Sequence, residues 1–249
     1  SLLGKYLHGL GIHILTLSQA ARLETRDGAV TAVHLKGHFA TMRHAGAYWR
    51  AKSKAGDAVD ARIINTSSGA TVRFTNNFSV SDASKLVGPG LFELTGGTLS
   101  LAGSLSVPTF NQSGGTLTGT HTLASGTTFN WSNGNWSNSG TDSTTVASGA
   151  TLNVTTNVGH NFQGRTLINN GTFAWSDGTL IASGGATFTN NATLNDSSTG
   201  GFGGTGQGGA DLTFTNAASG TYNVSVSKSS NVAFTNAGIF NVTAGTYSF

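Results

Sequence analysis

Glu93, Asp142, Asp177, Asp196 and Asp211 are the acidic side chains best suited to acid–base chemistry. Two facing carboxylates would serve glycoside hydrolysis, one as the acid and the other as base or nucleophile. The catalytic candidates are therefore Glu93, Asp142, Asp177 and Asp196. Asp142, Asp177 and Asp196 sit in turn-like sequence, where Asp commonly bonds its own backbone, so a turn role is the simpler account. A lyase would want a basic side chain beside carboxylate-binding groups. Arg165 and Lys228 are the only Lys or Arg after residue 85, and the sequence keeps them far apart. His121 and His160 are equally isolated. No His/Asp set has metal-ligand spacing, so neither a metal nor a cofactor is expected. The glycine run at 200–209 lacks the Lys-Ser/Thr ending of a phosphate loop and reads as an insertion. Trp131, Trp136 and Trp175 each precede Ser-Asn or Ser-Asp. Exposed, they would form an aromatic platform for sugar rings. The alternative, which the repeat favours, is that they are core residues.

The elements that position these residues follow from composition and period. The 249 residues include 36 Gly, 2 Pro and no Cys, and only 9% are charged. With 37% apolar residues the chain can build a core, and disorder is not expected. No disulfide framework and no cysteine–zinc site is possible. No apolar run is long enough for a membrane-spanning helix. Residues 1–20 hold an apolar stretch broken by His8 and His13, a poor match to a secretory leader. The net charge of +3 is unevenly placed. Residues 1–62 carry nine basic and four acidic side chains, whereas residues 63–249 carry four and six. The charges of this basic head alternate in sign and no base-stacking aromatics accompany them, so nucleic acid is not an expected partner.

From about residue 91 the sequence repeats. Anchors fall at Phe92, Phe110, Phe129, Leu152, Leu167, Phe188, Phe214 and Phe234, about 20 residues apart on average. Around them run apolar–polar alternations such as Thr151-Leu-Asn-Val154, separated by turn formers such as Asn170-Gly171 and Asp177-Gly178. Period two with Thr, Val and Phe predicts strands, and a 20-residue self-similarity predicts a solenoid. Stacked coils would share one core, with parallel strands roughly 4.8 Å apart. Eight anchors predict about eight coils. Asn beside the strands, as at 111, 130, 190, 216 and 236, predicts amide ladders along the rod. An antiparallel sandwich is the competing architecture, but it leaves the near-identical phrases unexplained.

The phrases Phe129-Asn-Trp131-Ser-Asn-Gly134 and Phe173-Ala-Trp175-Ser-Asp-Gly178 are one unit used twice. Residues 90–249 resemble the Gly/Asn/Thr-rich right-handed parallel β-helix repeats of bacterial surface proteins, which are similar to autotransporter and adhesin passengers. The expectation is an all-β, right-handed parallel β-helix with a short N-terminal helical segment. Residues 1–70 would form the helix-containing segment and residues 71–249 the repeats.

That helix is expected over 28–55, where Val30, Val33, His34, Phe39, Met42, Ala45 and Trp49 fall mostly at three- and four-residue steps. Together with Ile63-Ile-Asn-Thr-Ser-Ser-Gly-Ala70, residues 30–70 resemble the middle of a short-chain dehydrogenase. The resemblance implies Ser68 at the catalytic serine position. The Tyr-x-x-x-Lys motif that should follow is missing from 71–90, and no glycine-rich cofactor loop precedes it. Tyr48 and Lys52 have the spacing but precede the serine. The simplest account is a dehydrogenase fragment joined to the repeat near 70–73, or a cap over the first coil. The expected function is a structural or adhesive segment at a bacterial surface or in the extracellular space, with polysaccharide or cell-surface glycan as partner. A polysaccharide hydrolase or lyase on the same scaffold is the alternative, and residual dehydrogenase activity a remote third.

Overall fold

The computed structural model describes strands at 20–26, 29–35 and 63–65, then residues 68–249 apart from 82–84, 138–141, 183, 203–211 and 231. The chain divides into two units, Ser1–Arg43 and His44–Phe249. In the first, strands Ala20–Arg26 and Ala29–Leu35 pair antiparallel. This corrects the helix expected over 28–55 where that segment is described. Val30, Thr31 and Val33 are β-branched, and Asp-Gly is a strong two-residue hairpin signal. Pairing with the neighbouring strand overrides the three-and-four spacing. The remainder of that segment, 36–55, lies outside the described residues, and the described residues hold no helix.

The second unit is a parallel β-solenoid. Its first face stacks nine strands from Thr71–Phe74 to Ile239–Val242, and so contains eight steps from one turn to the next. The second face stacks seven strands from Gly103–Leu105 to Ala233–Asn236. The third face includes Thr98–Leu101, the far half of Thr109–Thr118, Gly159–Gln163 and Thr179–Ile181. Every neighbouring pair runs parallel, because each strand meets its counterpart one full coil later.

Alternation sets the core. In Thr151–Val154 and Thr172–Trp175 the second and fourth residues are buried and the first and third half-buried. One inward column on the first face therefore runs Phe110, Phe129, Leu152, Phe173, Leu194, Tyr222. On the second face it runs Leu167, Phe188, Phe214, Phe234. The eight anchors are thus split between two faces, and the short step from Leu152 to Leu167 crosses from one to the other within a turn. In-register rings stack, with centroids 4.9 Å apart for Phe110–Phe129, Phe188–Phe214 and Phe214–Phe234. Each buried ring contributes about 1.5–3 kcal/mol by leaving water.

Two kinds of amide ladder join the turns. Asn169, Asn190 and Asn216 each pass an Nδ2–H to the Oδ1 of the next asparagine, ending at Asn236, at 2.7, 2.8 and 2.7 Å. The first three are fully buried, and they also donate to the carbonyls of Thr193, Thr221 and Ile239 where the next turn begins. Outward ladders run Asn111–Asn130–Asn153 and Asn195–Asn223–Asn241, broken by Ala174 between them. Turns are tight: Gly178 has φ +80°, and a Cβ there would lie 2.5 Å from the carbonyl oxygens of Thr156 and Val158. No helix of the described residues is long and apolar enough to cross a membrane.

Candidate functional site

Asp196 ends strand Thr193–Asp196 at the fourth, inward position. Its register partners are Trp175 on one turn and Val224 on the next. A carboxylate therefore stands in a column of core side chains, and it is satisfied from every side. Oδ1 accepts the Ser198 backbone N–H at 3.1 Å and the Ser198 hydroxyl at 2.8 Å. Oδ2 accepts the Tyr222 hydroxyl at 2.9 Å and Lys228 Nζ at 2.5 Å. Lys228 Nζ also reaches Ser198 Oγ at 3.0 Å and lies 4.1 Å from the centre of the Trp175 ring. The side chains of Lys228 and Asp196 are 3% and 0% exposed. Burial lowers the Lys228 pKa, against the opposing pull of Asp196. Burial, then the Asp196 charge, raises Tyr222, which stays a hydroxyl donor.

A second polar set lies between the second and third faces. The buried Arg165 side chain donates from Nε to Thr144 Oγ1 at 3.0 Å and from Nη2 to Gly119 O at 2.6 Å. Nη2 also lies 3.2 Å from His121 Nδ1. Nδ1 also lies 3.2 Å from Gly119 O, and Nε2 lies 3.2 Å from Thr144 Oγ1. Burial, and then Arg165, lowers the His121 pKa to about 3, so the ring is neutral. Asp142 lies 3.7 Å from Arg165 and accepts the Gly119 N–H at 2.5 Å. The set resembles acid–base machinery in composition only. His121 is 2% exposed and the Arg165 side chain 0%, so no substrate atom reaches them.

The other candidates are engaged singly. Asp177 accepts the Gly178 N–H at 2.8 Å and closes its turn. Glu93 pairs with Arg73 at 2.8 Å on the first face. Asp211 lies outside the described residues. Ser68 is exposed in a turn. Trp131, Trp136 and Trp175 are all 0% exposed, which corrects the sugar platform that exposed indoles would have formed. The repeated phrase instead builds a latch: Trp131 Nε1–H bonds Gly134 O at 3.1 Å, and Trp175 Nε1–H bonds Gly178 O at 3.0 Å. Trp136 stacks on Trp131 at 4.2 Å and donates to Gln112 Oε1 at 2.6 Å. Ser198 and Tyr222 were not foreseen as partners of Asp196. The available signal was Thr193-Leu-Asn-Asp196, whose fourth residue is Val or Trp in the parallel phrases at 151–154 and 172–175. Among the described residues no three His, Asp or Glu side chains gather as metal ligands.

No known family model matches the chain, and no solved structure matches it. The hydroxyacyl-CoA dehydrogenase ChsB1 of Mycobacterium tuberculosis is 57% identical over 44 residues. That stretch is 17% of this chain and 14% of the dehydrogenase. The chain thus spans a small part of the relative it matches, and the dehydrogenase resemblance is that of a fragment.

Proposed function

We propose that the solenoid is a structural and adhesive segment of a bacterial surface or secreted protein, and that its partner is a polysaccharide or cell-surface glycan. The observation that carries this reading is the outward chemistry of the first face. Thr109, Thr128, Thr151, Thr172, Thr193 and Thr221 form one unbroken row of register partners. Two positions further along each strand lies the row of Asn111, Asn130, Asn153, Asn195, Asn223 and Asn241, interrupted only at Ala174. Uncharged hydroxyls and amides at one repeat per turn match the hydrogen-bonding needs of a repetitive sugar chain. Asp142, Asp177, Asp196 and Glu93 are each engaged in holding the scaffold, which supports binding over hydrolysis.

The reading is tested by incubating the protein with insoluble and soluble polysaccharides, scoring retention of protein and release of new sugar ends. Retention without release is expected. The triple change Asn195→Asp, Asn223→Asp, Asn241→Asp places repelling charges in register on this row and should abolish retention while the fold persists. Retention by none of the glycans would refute the glycan partner.

A further inference from the structure

We infer that Asp196 and Lys228 are the two ends of an intramolecular amide cross-link, formed by the folded chain itself with loss of one water. This is a covalent modification site, and it stands independently of any glycan binding. Four features of the cluster converge on it. First, the amine and the carboxyl are already in contact, with Nζ 2.5 Å from Oδ2 and both side chains removed from solvent. Holding two reactants in this way removes the entropic cost of bringing them together. Second, Oδ1 is held by two donors, the Ser198 N–H at 3.1 Å and the Ser198 hydroxyl at 2.8 Å. That is the arrangement that stabilises an oxyanion when a carboxyl carbon is attacked. Third, the Tyr222 hydroxyl is 2.9 Å from Oδ2, the oxygen that must leave. Fourth, the Trp175 ring, 4.1 Å from Nζ, walls one side and holds the nitrogen against the carboxyl group.

The step balances without an outside reagent. The Lys228 ammonium passes one proton to Oδ2, giving a neutral amine and a carboxylic acid. Burial, which disfavours the charged pair and lowers the Lys228 pKa, helps this transfer. The amine turns from the edge of the carboxyl group to its face, and the Nζ–Cγ bond forms. Negative charge gathers on Oδ1 between the two Ser198 donors. As the Cγ–Oδ2 bond breaks, Tyr222 gives its proton to Oδ2 and recovers one from the attacking nitrogen. Oδ2 leaves as water with two of the three ammonium protons, and the third stays on the amide. The link joins strand Thr193–Asp196 to strand Lys228–Ser229 and fastens successive turns to each other.

The sequence makes the test clean. After Arg165 the only Lys or Arg is Lys228, and trypsin does not cut after an acylated lysine. The purified folded chain is incubated at neutral pH, denatured, weighed intact and digested with trypsin. The expected result is a mass one water below that of the sequence and an uncut peptide spanning 166–249. Lys228→Arg keeps the cation but should restore the full mass and the cut after residue 228. Tyr222→Phe should slow the appearance of the uncut peptide by about a hundredfold, the scale of a lost acid catalyst. Full mass with cleavage after Lys228 in the unaltered protein would overturn the inference. So would a one-water loss with Lys228 still cleaved, which would place the dehydration away from Lys228, as in a succinimide at an Asp-Gly pair such as Asp177-Gly178.

Discussion

Asp196 lies beside Trp175 as its register partner one turn along, so a carboxylate occupies the column that elsewhere on this face holds Trp131, Val154 and Val224. It tolerates that position because Lys228, Tyr222 and Ser198 close around it. Lys228→Met should therefore remove both the amide link and the cation, leave the Asp196 carboxylate buried without its partner, and cost at least about 3–5 kcal/mol of stability, read by urea denaturation. A loss of a few tenths would mean that water reaches Asp196.

The buried and exposed amide ladders use the same bond but should differ in worth. Asn190→Ala removes one of the two acceptors of Asn169 Nδ2, and the Nδ2–H donor that Asn216 Oδ1 and the Thr221 carbonyl accept. The expected loss is about 1–3 kcal/mol for each orphaned group. Asn223→Ala on the outer face should stay within about 0.5 kcal/mol, because water replaces the amide there. Equal losses in thermal or urea unfolding would contradict this assignment.

Acid should destabilise the solenoid through His121. The folded ring takes its proton only near pH 3, whereas an unfolded histidine takes it near 6.5. Between these values the unfolded chain binds more protons, so stability falls as the pH drops through that window. His160, also lowered chiefly by burial, acts in the same direction. His121→Gln should flatten the dependence of unfolding free energy on pH by up to about 1.4 kcal/mol per unit. An unchanged slope between pH 6 and 4 would refute the neutral buried ring.

Trp175→Ala should act on the fold before it acts on any ligand. The indole is fully buried, latches Gly178 and walls the Lys228 site. A loss of about 3–5 kcal/mol is expected from the cavity. Full stability with loss of glycan retention would instead identify an exposed sugar contact.

Much of the architecture was legible because a solenoid writes its register into the sequence. Thr-Leu-Asn-Val and Thr-Phe-Ala-Trp align by eye, and they are stacked neighbours in the fold. The amide ladders were legible for the same reason. The face on which each anchor sits was not, since the alternation is alike on all faces and only the turns between them tell them apart. Nor was the Asp196 site. Its partners lie 2, 26 and 32 residues away, and nothing local joins Lys228 to Asp196. The hairpin at 20–35 was missed because Val30 and Val33 satisfy helical spacing as well as strand chemistry, and pairing decided between them.

Register carries the whole account, and the absence of Cys from the chain allows it to be tested directly. Thr189 and Thr215 are outward-facing register partners on the second face. Thr189→Cys with Thr215→Cys should oxidise completely to a disulfide, since adjacent parallel strands bring the Cα atoms within the range of about 4.4–6.8 Å that a disulfide spans. Thr187→Cys with Thr215→Cys, offset by two residues, should stay reduced under the same oxidant. Faster or fuller bonding in the offset pair would show that the coils stack in another register, and would contradict the fold and both sites built on it.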